Sequence, residues 1–311
     1  MPAGRRALLA AALAGCGVLD QSSRGLTSRL PPFTTPPESP LVALGALEIH
    51  RDVLRLGGLS SLHVGDDLAL TAISDTGRWL CARLDLAPDG TPLGLLEAST
   101  GPLRDGGGTA LARGYQGDAE SLAPVPGGGW LVGFERWHRI RAYDRLDGPG
   151  RYVAPPPGLQ AAPTNGGLES LTFLADGRLL AITENYWLMG QGVAAWLRGT
   201  DGTWTRTAYL PAPGMVPTDA CGLPDGSLLV LERAFSLLGG FWGRLVHVPA
   251  AALAAPVIAG EAILALEPPL PTDNWEGVSA FTHRGRRLVA LVSDDNESIL
   301  QRGLLMVLAW R

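Results

Sequence analysis

The sequence predicts an all-β protein, a β-propeller of four-stranded antiparallel blades, and three observations carry that expectation. The first is self-similarity. The segments GLSSLHVGDDLALTAISD from Gly58, DAESLAPVPGGGWLVGFER from Asp118, GLESLTFLADGRLLAITEN from Gly167, PTDACGLPDGSLLVLER from Pro217 and NWEGVSAFTHRGRRLVALVSDDN from Asn274 share one plan. The second is the period: Glu120 to Glu169 and Glu135 to Glu184 both span about fifty residues, the length of a propeller blade and more than one coil of a β-helix. The third is composition. With 46% hydrophobic and 18% charged residues the chain is globular, and its 41 glycines and 25 prolines punctuate short apolar runs, as in a turn-rich β protein.

Each copy reads as a small-residue strand, a glycine turn, an apolar strand and then an acidic residue. Asp176-Gly177 and Asp225-Gly226 mark tight hairpins between the first two strands. Third and fourth strands are visible after the third copy, at Ala194 to Leu197 and Trp204 to Leu210. Five blades are favoured, with six the alternative if a connection hides a degenerate copy. The last copy has strands near Val278, Leu288 and Leu304 but no fourth. Gly45 to Leu56 is expected to supply it, closing the ring by pairing the two ends of the chain and leaving no long exposed edge. One short helical turn is expected at Ala250 to Ala255.

The N-terminus reads as an address. Arg5 and Arg6 precede the apolar run Ala7 to Ala14, too short to span a bilayer, which fits a secretory signal by the general or the twin-arginine route. Leu13-Ala14-Gly15-Cys16 resembles the lipobox of bacterial lipoproteins, which implies lipidation of Cys16. The expected organisation is a signal over 1–16, a Pro/Ser/Thr-rich tether over 17–40 and one propeller domain over 41–311. The protein is expected to be exported, periplasmic or membrane-anchored, monomeric, and in contact with the membrane through the lipid alone. Cys81 and Cys221 fall on different blades and strands and read as buried small apolar residues.

Several function classes are excluded. A formal net charge of −5 argues against nucleic-acid binding. All 25 basic residues are arginine, so neither a Schiff-base lysine nor a P-loop lysine exists. There is no GxSxG elbow, no CxxC, and no close histidine pair of the zinc type among positions 50, 63, 138, 247 and 283.

In a propeller the innermost strands line a central channel, so repeat-related residues form rings. One expected ring is Glu120, Glu169, Asp219 and Glu276, with Ser60 or Ser61 in the first blade's place. A second is Asp75, Glu135, Glu184, Glu232 and Asp294 at the ends of the second strands. Crowded carboxylates repel unless they are protonated, paired or bound to a cation. All-oxygen donors suit a hard ion such as calcium. The competing reading of the second set is that these acids accept backbone N–H bonds and hold blade corners. Trp137, Trp187, Trp242 and Trp275 stand beside the acids and are expected to pack between blades.

The chain resembles the bacterial phytase-like family with esterase-like activity. The resemblance rests on Asp118-Ala119-Glu120-Ser121-Leu122, on Gly167-Leu168-Glu169-Ser170-Leu171 with Thr183-Glu184-Asn185, and on Asn274-Trp275-Glu276-Gly277-Val278 followed by Leu291-Val292-Ser293-Asp294-Asp295-Asn296. It implies a secreted propeller that hydrolyses an ester with calcium assistance. The expected function is metal-assisted hydrolysis of a small phosphate or carboxylic ester. Glu120, Glu169, Asp219 and Glu276 would hold calcium, Glu184 or Asp294 would be the general base, and Arg136 or Arg233 would steady developing negative charge. The alternative is a lipid-tethered binding or scaffold propeller without chemistry.

Overall fold

A computed structural model describes residues 25–298 and 301–311. The signal, the lipobox and Cys16 lie outside the described residues. Five sheets form a five-bladed propeller. From the channel outwards, the first blade is Leu59–Val64, Ala69–Ser74, Arg78–Leu86 and Pro92–Pro102, and the second is Ala119–Pro124, Trp130–Phe134, Arg139–Tyr143 and Arg151–Val153. The third is Leu168–Phe173, Leu179–Leu188, Gly192–Arg198 and Trp204–Tyr209. The fourth is Val216–Gly222, Leu228–Ser236, Gly240–Val248 and Glu261–Leu266. In the fifth, Asn274–His283, Arg286–Asp294 and Gly303–Trp310 are completed by Leu41–Ile49 from the N-terminal side. The ring is therefore closed by both ends of the chain, as the missing fourth strand predicts. The closing strand starts at Leu41 and ends at Ile49, and the remainder of the expected segment forms a short helix, Arg51–Leu54.

The packed chain begins ahead of Leu41, within the stretch expected to be a tether. Thr27–Arg29 pairs antiparallel with Leu47 to Ile49, Leu26 is buried, and the Thr35 hydroxyl donates to the Leu41 carbonyl at 2.7 Å. Composition pointed to an extended segment, but the open edge of the closing strand offers its backbone groups a partner. A second short addition, Val257–Ile258, pairs parallel with the outer strand of the third blade.

Each strand alternates between the blade before it and the blade after it, which is why the apolar residues divide into five buried clusters, one at every interface between neighbouring blades. The cluster joining the last blade to the first holds Leu47, Leu62, Leu80, Val292 and Val307. The others join blades one and two around Phe134, two and three around Trp196, three and four around Val230, and four and five around Trp275. Cys81 and Cys221 are half-buried, on different blades as expected but less enclosed.

One local feature sets the site. In every blade the innermost strand carries a β-bulge at the same place, with register shifts across Leu59/Ser61, Ala119/Ser121, Leu168/Ser170, Pro217/Asp219 and Trp275/Gly277. A bulge leaves one residue unpaired and re-aims its side chain. The bulged residues are Ser60, Glu120, Glu169, Thr218 and Glu276. The next position is small, and at Gly277 a Cβ would lie 2.9 Å from a Leu62 side-chain carbon of the first blade.

Candidate acidic channel mouth

The bulges correct both expected rings in the fourth blade, each by one residue. Thr218 occupies the place of Glu120, Glu169 and Glu276, whereas Asp219 matches Ser61, Ser121, Ser170 and Gly277. Asp219 is consumed by protein donors. One oxygen accepts from the Ser61 hydroxyl at 3.1 Å and the Val278 N–H at 2.9 Å, and the other from the Ala220 N–H at 2.8 Å. It pins three inner strands together and joins neither carboxylate triad at the mouth. Its carboxyl lies well above the usual range because it is buried.

The second ring shifts in the same way. Asp75, Glu135, Glu184 and Asp294 follow the residue paired at the bulge, and in the fourth blade that place belongs to Arg233, not Glu232. Glu232 is fully buried away from the channel. It accepts from the Tyr209 hydroxyl at 2.6 Å, the Arg244 Nε at 2.6 Å and the Ala212 N–H at 3.2 Å.

Of the four expected metal ligands, Glu120 and Glu169 join carboxylate clusters. Asp118, Glu120 and Glu135 present oxygens all within 4.8 Å of one another, and so do Glu135, Glu169 and Glu184. Glu135 is common to both triads. One of its oxygens accepts the Gly167 N–H at 2.8 Å, which fixes the carboxylate between the two groups. Glu276 is instead engaged by Arg233 Nη1 at 2.5 Å and Asn274 Nδ2 at 2.8 Å. Arg233 reaches across to Glu184 at 2.9 Å, so it stitches the third, fourth and fifth blades at the mouth. Arg136 stands on the rim, its Nε 2.6 Å from Asp118. Asp294 accepts the Asn296 N–H at 2.6 Å and Asn274 Nδ2 at 3.3 Å.

Crowding and burial hold these acids far from their ordinary behaviour. Burial, followed by the charges of neighbouring acids, pushes Glu120 and Glu169 well above the carboxylate range. Burial lifts Glu276 to about 8 against the pull of Arg233, and Glu135 to about 7 against the Gly167 N–H. Asp75 rises to about 7 through burial and the nearby Asp294, and Asp294 to about 6 through burial. A site of this kind costs free energy when all its acids are ionised, and a divalent cation with oxygen preference removes that cost. The donors present fit such an ion: buried or half-buried carboxylates only, two triads sharing one residue, and no histidine or thiol among them.

On the first blade's side of the mouth, where Arg113 and Glu297 act on Asp75, lies a cavity of about 800 Å³ that the sequence did not reveal, lined by Arg51, Arg55, Arg78 and Arg113 together with Asp52 and Glu297. Arg113 pairs with Glu297 and Arg51 lies 3.5 Å from Asp295, while the buried Nε of Arg78 has no partner. Arg51, Arg55 and Arg113 come from the connections that enter and leave the first blade, and Arg78 opens its third strand, so no repeat spacing marks them. Three of the four tryptophans expected between blades are exposed instead: Trp137, Trp187 and Trp242. Only Trp275 is buried, its Nε1 donating to the Pro271 carbonyl at 3.2 Å.

No curated protein matches the chain. Solved propellers do: a gluconolactonase from Xanthomonas campestris at 11% identity over 91% of this chain and 96% of that chain, with a TM-score of 0.48. An α-L-arabinofuranosidase from Podospora anserina matches at 12% identity over 91% and 96%, with a TM-score of 0.47, and a virginiamycin B lyase from Staphylococcus aureus at 11% over 81% and 95%, with a TM-score of 0.41. Similarity this low carries no statement about activity. Residues 54–297, nearly the whole ring, match one family, and the chain belongs to it: the phytase-like family, described as esterase-like activity of phytase.

Proposed function

We propose that this phytase-like propeller is a cation-assisted hydrolase of small anionic esters, phosphate monoesters foremost, acting at the acidic mouth. The observation that carries the reading is the pair of carboxylate triads joined at Glu135, next to a cavity lined by four arginines. Asp118, Glu120, Glu135, Glu169 and Glu184 would hold a divalent ion such as calcium. Bound there, the ion would supply charge compensation, a Lewis-acid contact and a lowered pKa for a bound water.

The remaining work falls to the chain. Arg55 and Arg78 bind the anionic end of the ester, because among the described residues neither has a carboxylate within salt-bridge distance and a guanidinium fork matches phosphate oxygens. Asp75 and Asp294 are the general-base pair. Burial raises both, and the charge of Asp294 raises Asp75 further, so their carboxyls titrate at about 7 and about 6, where proton transfer near neutrality is efficient. Glu184 is paired with Arg233, and we assign it to ion binding instead of proton transfer. Arg233 balances the ring, and Arg136 lies beside Asp118 at its rim.

The test is turnover of p-nitrophenyl phosphate and p-nitrophenyl acetate by the full chain with calcium and with chelator. Calcium-dependent cleavage is expected, with Asp75→Asn lowering kcat by about a hundredfold while the melting temperature holds. The double change Arg55→Gln with Arg78→Gln is expected to raise KM for the phosphate ester more than for the acetate. Saturable binding of calcium and phosphate esters without turnover would overturn the enzyme and leave a binding propeller.

A further inference from the structure

We propose that the mouth face of the propeller docks onto a zwitterionic lipid bilayer through the hairpin tips of the third and fourth blades. First strands start at the mouth and second strands return to it, so every second-to-third-strand connection lies on that face. In the first blade this connection is the tight turn after Ser74. In the third and fourth blades the paired strands run on past Glu184 and Arg233, to Leu188 and Ser236. At about 3.3 Å per residue these hairpins rise roughly 10 Å or more above the ring.

Their tips are apolar and open to solvent. Met189 is 100% exposed, Leu237 94% and Leu238 102%, with Trp187, Phe235 and Trp242 also exposed. No charged residue occurs from Tyr186 to Gly192 or from Ala234 to Gly243. Of the twelve large hydrophobics exposed among the described residues, all but Leu93 and Tyr152 lie in connections, tips or strand ends on the mouth side. Such clustering on one face marks an interaction surface.

A second, independent observation selects the occupant. Leu26 pairs with His50 and Thr27 with Ile49, at the end of the closing strand that faces the mouth. The described chain therefore enters the propeller on the same face as the apolar tips. Eight residues separate Gly25 from Cys16, the residue expected to carry lipid, and even fully extended they reach only about 30 Å. A membrane holding that lipid lies on the side where the tips stand. A second copy is disfavoured as occupant, because two mouths brought face to face would oppose two sets of crowded carboxyls. The tips themselves carry no charge, which fits a zwitterionic surface.

The test uses the full chain with Cys16→Ser, which removes the acyl site, and phosphatidylcholine vesicles. Sedimentation with vesicles is expected, reduced at least about tenfold by Met189→Ser with Leu237→Ser and Leu238→Ser, and unchanged by Leu93→Ser on the opposite face. On the bound chain, amide exchange is expected to slow at residues 186–192 and 234–242. Unchanged exchange there, or equal sedimentation of the triple variant, would overturn the proposal. So would a dimer that the triple variant abolishes in the absence of any vesicle binding, which would assign the tips to a second copy.

Discussion

In chelator, the melting temperature of the protein is expected to fall as the pH rises from about 5 to about 8, and calcium is expected to reverse the fall. The sign follows from the mouth. Asp294, Asp75, Glu135 and Glu276 titrate at about 6, 7, 7 and 8 in the folded chain, all above their ordinary values of 3.8 or 4.5. Between those limits the folded state holds more protons than the unfolded one. The stability linked to these protons is complete at low pH and is lost as the pH climbs through the raised values. A shift of one unit corresponds to about 1.4 kcal/mol, so the crowd as a whole produces an effect on the order of several kcal/mol. Bound calcium would compete for the deprotonated oxygens, so its stabilisation is expected to grow with pH. Differential scanning fluorimetry across this range checks it, and a flat profile in chelator would contradict the account of the mouth.

Glu232→Ala is expected to cost about 3–5 kcal/mol and to leave calcium binding intact. Glu232 is fully buried, and its removal strands the Arg244 guanidinium and the Tyr209 hydroxyl, whose 2.6 Å bonds it alone accepts at that place. Its neighbour behaves differently. Arg233→Met frees Glu184 and Glu276 among other acids, so the variant is expected to need calcium for full stability. Denaturant unfolding of both variants, with calcium and with chelator, separates them. If Glu232→Ala abolished calcium binding while Arg233→Met changed nothing, the assignment of the fourth blade would be reversed.

That one-residue offset shows where sequence reading stops. The period, the Asp-Gly hairpins and the missing fourth strand made the five blades and their closure legible, because each is a local or repeated pattern. Glu120 and Glu169 were legible for the same reason. In the fourth blade Thr218 and Asp219 are adjacent, as are Glu232 and Arg233, and matching acid to acid chose the wrong member of each pair. Only the bulge, which is a matter of strand register, decides which of two neighbours faces the channel. Asp118 was read as part of a motif but given no role, and the arginine-lined cavity arises from connections that do not repeat. The early packing of Thr27–Arg29 was hidden by composition, since a polar, proline-rich stretch still pairs where a sheet offers an open edge.

The central claim is that a divalent cation binds at the two triads sharing Glu135. Calorimetric titration of calcium into the chelator-stripped full chain tests it most directly, run beside Glu135→Gln and Glu232→Gln. Saturable binding by the parent is expected, with a loss of affinity of at least about tenfold in Glu135→Gln and parent-like binding by Glu232→Gln. No heat of binding at millimolar calcium, or equal affinity in parent and Glu135→Gln, would contradict it.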